Sequence, residues 1–481
     1  MDLKNLISQE DLIAKRNTIK KVFFYRICGA GMGPCAVLIK QAGFDVEGAD
    51  SAFYPPMSTY LESTKIPLHS LDKVDEKFLQ QFDLIVVGNS VSGKIEAARM
   101  VERSGVPFTS FPSALGSLVL KDKNVVGIAG THGKTTTTYF MTQLLEKLNQ
   151  NPGYLIGGII EGRAPSKLGD KYFVIESDEY DSAYFHKISK FRFYEMDHMI
   201  LTSLEFDHAD IFANVEQIED QFKAVIPSLT KTIVFNSEYP SANKIFNEFK
   251  DHKGLRWIKY QEDTNSGPFN IQVTDMGSSF EVEWNGKRIP FETTAVGAHN
   301  VLNISACILF LLEEEFKVGD IQAAVKELSM VKRRQELRGS YNGMLVIDDF
   351  AHHPRAINVT IDAIRARYKN KKIITIFEPI SATARSSIFQ TEFRESLKKS
   401  DKVFIAQSTI ATTAINSKDL DTVKMAQELT DSGIPAHSVT KLEDLRHLID
   451  QNASQDALLL VLSNRTCLGL WESDFVQALK V

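Results

Sequence analysis

The sequence predicts an α/β protein made of three successive doubly wound blocks. Apolar runs typical of buried parallel strands alternate with helix-like stretches along most of the chain. A glycine-rich turn ending in Lys134-Thr135 directly follows one of these runs, as in strand-to-helix turns that hold an anion. The 481 residues exceed what a single hydrophobic core normally organises. We therefore expect three domains, spanning residues 1–121, 122–331 and 332–481.

The first block begins with the strand-like run Val22–Ile27 and the glycine-rich segment Gly29-Ala30-Gly31-Met32-Gly33. Its other strand-like runs are 45–48 and 83–87. The segment is similar to a dinucleotide-binding turn, but Pro34 stands where the third glycine would be, which argues against an NAD site. The glycines would still let a diphosphate approach the backbone, and Asp50 could accept a hydrogen bond from a hydroxyl. Tight packing without a ligand is the alternative.

The second block contains a phosphate loop. The run Val125-Val126 leads into Gly127-Ile128-Ala129-Gly130-Thr131-His132-Gly133-Lys134-Thr135-Thr136. In such a loop, backbone N–H groups and a helix start face the phosphates, the lysine reaches the outer phosphates and the threonine hydroxyl ligates Mg²⁺. The first glycine lies one residue earlier than strict P-loop spacing requires. A plain glycine-rich turn is the alternative, but we expect a nucleoside triphosphate here.

Two further strand-like runs of this block end in clusters of acidic residues. Residues 172–175 lead into Glu176-Ser-Asp178-Glu179-Tyr-Asp181, and residues 199–201 precede Glu205-Phe-Asp207-His208-Ala-Asp210. Neighbouring parallel strands end at the same edge as the phosphate loop, so a carboxylate there can reach a metal beside Thr135. Carboxylates packed this closely repel one another without a cation. His208 could ligate a second Mg²⁺ or orient a nucleophile; a solvated acidic loop and a packed imidazole are the alternatives.

The second block closes with an antiparallel segment and a helix. The alternating pattern of Phe269–Trp284 predicts antiparallel strands added to the parallel sheet. The helix expected from His299 to Glu314 carries Asn300 and Asn303 on one face, where their amides could pair with a purine edge. An asparagine near a helix start is commonly only a cap, and this alternative stays open.

The third block follows a basic connector, Lys332-Arg333-Arg334. Arginine can stabilise a transferring phosphoryl group, and a solvated connector is the alternative. The strand-like run 344–347 then leads to Asp348-Asp349, which is placed to reach a ribose, and to His352-His353. Later strand-like runs at 372–377, 403–406 and 457–462 repeat the doubly wound pattern.

Composition and charge exclude several classes of protein. The formal net charge is −6, whereas a nucleic-acid surface needs a basic excess. The four cysteines show no CxxC spacing, so they predict neither a zinc site nor a disulfide framework. Residues 1–20 lack the apolar core of a signal peptide, and no apolar run is long enough to span a membrane. We expect a cytoplasmic protein with no nucleic-acid partner and no membrane insertion.

Together, five motifs resemble those of the Mur ligase family, the ATP-dependent amide-forming enzymes of bacterial cell-wall synthesis and recycling. The motifs are Gly130–Thr136, Glu176 in its acidic run, Asp207-His208, Gly297-x-His299-Asn300-x-x-Asn303 and Asp349-x-x-His352-x-Pro354. They cover essentially the whole chain in the family's order. The resemblance implies an N-terminal Rossmann-like UDP-binding domain, a central P-loop ATPase domain and a C-terminal Rossmann-like domain that receives the amine substrate.

The resemblance also implies the chemistry. ATP, with Mg²⁺, would phosphorylate the carboxylate of UDP-N-acetylmuramate to an acyl phosphate, which an amine then attacks. Segments Tyr54–Thr59, Tyr154–Gly158, Leu204–Ile211 and Phe377-Glu378-Pro379 are similar to the peptidoglycan-recycling branch. In that branch the amine is the murein tripeptide L-alanyl-γ-D-glutamyl-meso-diaminopimelate; L-alanine is the alternative. A monomer or weak dimer is expected. Lys223 lies near the position of a lysine that several relatives carbamylate, and we assign it no modification.

Individual residue roles follow from the same resemblance. It implies catalysis by Lys134, Glu176, His208 and Arg334, and metal binding by Thr135, Glu176 and His208. ATP binding is implied for Gly130, Thr131, His132, Gly133, Lys134, Thr135, Thr136, Asn300, Asn303, Arg334 and Asp349. UDP-sugar binding is implied for Gly29, Ala30, Gly31, Met32, Gly33, Asp50 and Asn89, and amine binding for His352, His353 and Arg385.

Three segments depart from the family pattern. Ser90–Lys94 replaces a basic segment, Ile380 stands where an arginine is common, and Arg465-Thr-Cys-Leu468 stands where glycines commonly follow Ser463-Asn464. Because the C-terminal domain of the family receives the amine, the last two differences bear on the amine substrate. They also suggest an alternative, a nucleotide-regulated muropeptide sensor without catalysis. The intact phosphate loop and metal-type residues argue against that alternative.

Overall fold

The computed structural model describes residues 3–53, 55–89, 91, 96–157, 162–274, 276–330 and 333–480. Contacts group the chain into two compact units. The first comprises Met1–Glu205, Ile218–Tyr260 and Ala306–Ala324, and the second comprises Phe206–Gln217, Gln261–Ser305 and Val325–Val481. Most of the departure at Ser90–Lys94 lies outside the described residues, as do Tyr54, Gly158 and Lys332.

The first unit begins with the parallel sheet that the sequence predicted. Its strands are β1 (Lys21–Tyr25), β2 (Asp45–Asp50), β3 (Leu68–Ser70), β4 (Leu84–Val87) and β5 (Phe108–Ser110), in the order β3-β2-β1-β4-β5. The helices of this region are α1 (Gln9–Lys15), α2 (Met32–Gln41), α3 (Met57–Ser63), α4 (Glu76–Leu79), α5 (Glu96–Arg103) and α6 (Phe111–Leu118). The apolar runs form strands because they fill a core in which Phe23, Val87 and Phe108 are fully buried.

The second sheet of this unit places the strand before the phosphate loop between the two strands that precede the acidic runs. Its strands are β6 (Asn124–Ala129), β7 (Gly153–Leu155), β8 (Ser166–Lys167), β9 (Tyr172–Ser177), β12 (His198–Leu201), β13 (Thr232–Asn236) and β14 (Arg256–Gln261). Between β9 and β12 the chain forms a separate hairpin of β10 (Asp181–Ala183) and β11 (His186–Ser189). From β14 to β8 the order is β14-β13-β12-β6-β9-β7-β8, parallel except between β7 and β8, and the two-residue strand β15 (Thr264–Asn265) adds to the sheet beside β14. Helices α7 (Lys134–Lys147), α8 (Val215–Val225) and α9 (Pro240–Phe249) belong to this region. The strand that precedes the phosphate loop, β6, is thus flanked by β9, which carries Glu176 near its end, and by β12.

The β10–β11 hairpin connects the two sheets of the first unit. Its tip residues Tyr184 and Phe185 pack against the core of the first sheet, and the Phe185 and Phe108 rings meet edge-on at 5.2 Å. Tyr184 donates a hydrogen bond to Glu102 at 3.3 Å. The hairpin starts in the acidic run after β9, so that run is anchored in the first sheet.

The antiparallel segment in the second unit corrects one expectation. After the short strand β15 (Thr264–Asn265), strands β16 (Phe269–Val273), β17 (Ser278–Trp284) and β18 (Lys287–Thr293) form a separate three-stranded sheet rather than an addition to the parallel one. One face holds Phe269, Phe280 and Phe291, all buried. Because the Phe280 and Phe291 rings stack at 5.8 Å, this sheet has an apolar face of its own. Helices α10 (Ala298–Glu313) and α11 (Val318–Lys326) follow, and each has residues in both units.

The third doubly wound sheet occupies the rest of the second unit. Its strands are β19 (Glu336–Tyr341), β20 (Met344–Asp349), β21 (Lys372–Glu378), β22 (Lys402–Ala406), β23 (Ala436–Val439) and β24 (Ala457–Ser463), in the order β19-β20-β24-β21-β22-β23. Helices α12 (Pro354–Arg367), α13 (Gln390–Leu397), α14 (Thr422–Asp431) and α15 (Leu442–Asn452) alternate with them. Only the edge strand β19 is antiparallel. The predicted α/β class is confirmed, while the domain boundaries at 121 and 331 stay predictions. Among the described residues, no helix combines the length and apolarity needed to cross a membrane.

A buried polar network lies at the amino ends of β6, β9 and β12, opposite the phosphate loop. His198 is fully buried, with its Nε2 3.1 Å from Asn124 Oδ1 and 3.6 Å from Glu314 Oε1. Tyr172 donates to Glu314 at 2.8 Å, and Lys231 donates to Asn124 at 2.6 Å. Burial lowers the pKa of His198 to about 4, although the Glu314 charge opposes this shift. The ring is therefore neutral in the folded protein near neutral pH.

We predict that this network makes stability fall on mild acidification. Above the ordinary histidine pKa of 6.5, neither the folded nor the unfolded chain protonates His198. As the pH falls from 6.5 towards 4, the unfolded chain gains a proton that the folded protein does not bind, so stability is lost. At pH 5 this loss amounts to about 2 kcal/mol for one such ring. The drop in Tm between pH 7 and pH 5 should be smaller in His198→Gln than in the wild type; equal drops would contradict this account.

Candidate active site

The phosphate loop has the backbone shape that its glycines permit. β6 ends at Ala129 and α7 begins at Lys134, with Gly130 at φ 133° and Gly133 at φ 83°. A Cβ on Gly130 would lie 2.5 Å from Thr202 Oγ1, so only glycine fits there. The loop therefore turns tightly into the start of α7, where free N–H groups attract anions.

The loop is braced by the segment that follows β12. Ser203 Oγ accepts the N–H of His132 at 2.7 Å. Thr131 Oγ1 donates to the carbonyl of Glu205 at 3.1 Å and accepts the N–H of Glu205 at 2.9 Å. His132 Nε2 also lies 3.2 Å from Glu205 Oε2. The predicted nucleotide residues Thr131 and His132 thus support the shape of the loop in this structure.

Lys134 lies between the loop and the first acidic run. Its Nζ donates to the Gly130 carbonyl at 2.7 Å and lies 3.5 Å from Glu179 Oε2 and 4.0 Å from Asp178 Oδ1. Its side chain is only 13% exposed. A phosphate entering the loop would meet a lysine that is already held in the loop by carboxylates.

Thr135 and Glu176 are brought together as the metal prediction requires. The Thr135 side chain lies near enough to Glu176 to lower the pKa of its carboxyl, and Gly157 N–H donates to Glu176 Oε1 at 2.9 Å. Burial and the charge of Asp178 nevertheless raise the pKa of Glu176, against the opposing effects of Gly157, Lys134 and Thr135. The surrounding groups therefore leave negative charge incompletely neutralised, which suits a divalent cation.

Lys190 is a cation of this cluster that the sequence analysis did not single out. Its Nζ lies 3.1 Å from Asp178 Oδ2 and 3.9 Å from the centre of the Tyr180 ring. Burial alone would raise the pKa of Asp178, but the charges of Lys190 and Lys134 outweigh it and lower the pKa. Lys190 reaches Asp178 only because the β10–β11 hairpin folds back, so no local pattern could have identified it.

Asp207 and His208 belong to the second unit, together with His352 and His353. Asp207 is buried, and burial alone would raise its pKa. The charges of His208, His352 and His353 outweigh burial and hold the pKa of Asp207 well below its ordinary range. The second acidic run is thus assembled with two of the predicted amine-site residues. The metal role of His208 stays a prediction.

The Asn300 side chain contacts the backbone just before α10. Its side-chain amide donates to the Val296 carbonyl at 2.8 Å and is buried. Asn303 is buried on the same helix, and His299 Nε2 lies 3.1 Å from Gln335 Nε2. The Asn300 amide is therefore engaged with its own chain. Contacts of Asn300 and Asn303 with a purine stay predictions.

The two described arginines of the basic connector differ in their surroundings. Arg333 Nε donates to Asp348 Oδ2 at 3.0 Å, and its Nη2 donates to the carbonyls of Ser463 and Arg465 at 2.7 and 2.8 Å. Arg334 faces the Phe350 ring at 5.1 Å, and its guanidinium makes no hydrogen bond within the described part of the chain. The contacts of Arg333 therefore stabilise the fold, whereas the guanidinium of Arg334 is available to bind an anion.

Asp349, predicted to bind ribose, closes a turn after β20. Its Oδ2 accepts the N–H of Gln335 and its Oδ1 the N–H of Ala351, both at 2.8 Å. Burial raises its pKa, although the Arg334 charge and these N–H groups oppose the shift. Burial and the Arg334 charge also lower the pKa of His299 to about 4. Arg334 thus acts electrostatically on both neighbours.

The glycine-rich segment at the N-terminal sheet is held by Asp50. Residues Gly29, Ala30 and Gly31 lead from β1 into α2, which begins with Met32 and Gly33. The carboxylate of Asp50, which is buried, accepts the N–H of Cys28 at 2.9 Å and lies 3.3 Å from Arg26 Nη1. Asn89 donates to the carbonyl of Asp181 at 3.2 Å, in the hairpin next to the acidic run. Contacts of these residues with a UDP-sugar stay predictions.

Among the predicted amine-binding residues, Arg385 is turned towards its own loop. Its Nη1 donates to the Ile380 carbonyl at 2.5 Å. His353 is buried edge-on against Phe389 at 4.9 Å, and His352 Nδ1 lies 3.1 Å from the Phe350 carbonyl. The amine-binding role of Arg385 stays a prediction, and the structure gives it a structural contact.

Two residues in the loop after β24 have the positive φ angles that usually require glycine, although neither is a glycine. Cys467 and Leu468 have φ values of 56° and 52°, a region that other residues rarely enter. Their N–H groups donate to the Glu378 carboxylate at 3.0 and 2.7 Å, and the Ser463 hydroxyl donates to it at 2.5 Å. A buried carboxylate at the end of β21 thus stabilises a strained backbone that sequence reasoning treated only as a departure.

Comparisons with known proteins agree with this geometry. Successive parts of the chain match the models described as Mur ligase family, catalytic domain (21–123), Mur ligase middle domain (128–311) and Mur ligase, glutamate ligase domain (333–465). The chain is 33% identical to the UDP-N-acetylmuramate–L-alanyl-gamma-D-glutamyl-meso-2,6-diaminoheptandioate ligase of Escherichia coli strain K12, over 92% of this chain and 95% of that protein. It is 29% identical to the UDP-N-acetylmuramate–L-alanine ligase of Lactococcus lactis, over 90% and 93%.

A solved structure supports the same family. The murein peptide ligase of Psychrobacter arcticus superposes with a TM-score of 0.67 at 28% identity, covering 95% of this chain and 98% of that one. The chain therefore belongs to the Mur ligase family, whose members are ATP-dependent amide ligases. Two of the relatives described above, the Escherichia coli and Psychrobacter arcticus proteins, are ligases of a murein peptide. The three-domain α/β architecture expected from the sequence is confirmed.

The phosphate loop yields a prediction about Gly130. In Gly130→Ala the new Cβ would collide with Thr202 and with the Ser203 carbonyl, which displaces the loop. Displacement on the order of 1 Å in such a site can cost about 100-fold in rate. Gly105→Ala is the matched control, because Gly105 also has a positive φ, 77°, but open space around it. Binding of an ATP analogue should be lost in Gly130→Ala and retained in the control. Equal binding in both variants would contradict the assignment of the loop.

Proposed function

We propose that this chain is the ATP-dependent ligase that joins UDP-N-acetylmuramate to L-alanyl-γ-D-glutamyl-meso-diaminopimelate in peptidoglycan recycling. The observation that carries the proposal is the packing of Lys134, Thr135 and Glu176 at one edge of the central sheet. These groups suit a triphosphate with its Mg²⁺. The reaction passes through an acyl phosphate of the muramyl carboxylate.

The charges of the first unit support this chemistry. An acyl phosphate forms only when the γ-phosphate and a carboxylate, both anionic, come together. Lys134 supplies one positive charge in the loop, and Thr135 with Glu176 would hold Mg²⁺, which neutralises phosphate charge. Each charge-assisted contact contributes about 1.5–3 kcal/mol, so several contacts are needed.

The second unit supplies groups suited to the amine step. The attacking amine must lose a proton, and an imidazole is the side chain suited to accept it near neutral pH. Asp207 stays ionised among His208, His352 and His353, so it would stabilise an imidazolium formed there. Arg334 offers a free guanidinium for developing phosphoryl charge.

The peptide is favoured over L-alanine as the amine. The 33% identical relative is a ligase of the tripeptide, and the 28% identical structure is a murein peptide ligase. L-alanine is the second candidate, because a 29% identical relative over nearly the whole chain is a ligase of L-alanine. No observation on the site residues favours L-alanine.

Phosphate release tests the proposed function and Lys134 together. The protein is supplied with ATP, Mg²⁺ and UDP-N-acetylmuramate, and with either the tripeptide or L-alanine. Phosphate should be released with the tripeptide, and Lys134→Ala should abolish this release while its Tm stays near that of the wild type. Release with L-alanine alone would overturn the choice of amine. Near-normal turnover in Lys134→Ala would overturn the site.

The predicted metal role of His208 has its own test. His208→Ala should lower kcat and shift the Mg²⁺ dependence of the rate to higher concentration, since one ligand of a cation is lost. His437→Ala, which removes an exposed histidine of the same unit, is the matched control and should behave like the wild type. An unchanged Mg²⁺ titration in His208→Ala would remove His208 from the metal site.

A further inference from the structure

The carboxyl edge of the third sheet holds an arginine that the proposed reaction does not use. Arg465 follows β24, which lies between β20 and β21. The strands β21, β22 and β23 follow one another towards one edge of the sheet. The chain then returns to form β24, which lies between β21 and β20, so the strand order reverses at β24. In open α/β sheets, ligands bind outside the carboxyl ends of the strands where the strand order reverses.

Arg465 combines a fixed backbone with a free side chain. Its N–H donates to Ser463 Oγ at 3.0 Å, and its carbonyl accepts from Arg333 Nη2 at 2.8 Å. The side chain is exposed, and within residues 333–480 its guanidinium makes no hydrogen bond or ion pair. A guanidinium on a fixed backbone is well suited to a carboxylate, because little freedom is lost on binding.

The neighbouring Asn464 offers a complementary acceptor. Its Oδ1 is buried and has no hydrogen-bond partner among the described residues. A buried oxygen without a hydrogen-bond partner is unfavourable, so a donor that reaches it would be bound favourably. The free end of an amino acid carries a carboxylate and an ammonium group. The Arg465 guanidinium can bind the carboxylate, and Asn464 Oδ1 can accept a hydrogen bond from the ammonium group.

Two other arginines at this edge, Arg333 and Arg385, are already engaged. Arg333 donates to Asp348 and to loop carbonyls, and Arg385 donates to the Ile380 carbonyl. Glu378 pairs with Ser463 across β21 and β24. Ile380 and Arg465 therefore each lie two residues beyond paired positions on neighbouring strands. Within the described part of the chain, Arg465 therefore remains available to a ligand at this edge, as does Arg334, which the proposed function assigns to phosphoryl charge.

We propose that Arg465 and Asn464 bind the free amino-acid end of the incoming peptide. Arg465 binds the distal carboxylate of the diaminopimelate residue, and Asn464 Oδ1 accepts a hydrogen bond from the ammonium group on the same carbon. This inference rests on the proposed function and makes Arg465 a specificity-determining residue. L-alanine has no such second end, and a peptide with lysine in third place has the ammonium group but lacks the carboxylate.

A matched pair of peptides tests the assignment. The full-length protein is assayed with ATP, Mg²⁺ and UDP-N-acetylmuramate, using tripeptides that end in meso-diaminopimelate or in L-lysine. In Arg465→Ala, KM for the diaminopimelate peptide should rise about 10- to 100-fold, as expected for one lost charge-assisted contact. Its kcat should change little, and KM for the lysine peptide should stay near the wild-type value. Arg465→Lys should restore part of the difference, and Asn464→Ala should raise KM for both peptides.

The control variant is Lys369→Ala, which removes an exposed cation before the amino end of β21. It should match the wild type with both peptides. If the wild type uses the diaminopimelate peptide but Arg465→Ala has an unchanged KM, or raises KM equally for both peptides, the inference is overturned and the proposed function stands. If the wild type uses neither peptide, the proposed function fails and the inference fails with it.

Discussion

Crowded negative charge at the carboxyl edge of the central sheet is the constraint on which the first unit depends. Glu176 lies near the end of β9, Asp178 and Glu179 follow that strand, and two lysines lie among these carboxylates. Lys134 comes from the phosphate loop and touches Gly130, whereas Lys190 arrives through the β10–β11 hairpin. The turn of the loop, the fold of the hairpin and its packing on the first sheet are all needed to place these cations.

Carboxylates also serve a second purpose in this chain, which is to hold backbone N–H groups in turns. Asp50 binds the N–H of Cys28, Asp349 binds one N–H before β19 and one after β20, and Glu378 binds the loop after β24. Each lies at the carboxyl end of a parallel strand, where an acid is also well placed for a ligand. Position in the sequence alone does not distinguish these two uses, because both require a carboxylate at the same edge.

Local pattern predicted the parallel strands well, because buried strands are continuous apolar runs and the turns after them carry glycine or acids. The neighbours of β6 and the proximity of Thr135 to Glu176 followed from that pattern. Three features did not follow. The antiparallel strands form their own sheet because Phe280 and Phe291 pack together. The edge strand β19 has a mixed pattern of buried and exposed residues and is not a continuous apolar run. The position of Lys190 beside Asp178 and the different surroundings of Arg333 and Arg334 depend on contacts between residues distant in the sequence.

The β10–β11 hairpin bears on how this chain can be divided. Phe185 fills space against Phe108 in the first sheet, although the two belong to different predicted domains. A fragment that stops near residue 121 would leave Phe108 bare, and a fragment that starts there would present Phe185 to water and tend to aggregate. Recombination between relatives, whether in nature or in the laboratory, would therefore have to transfer the first two sheets as one inherited block.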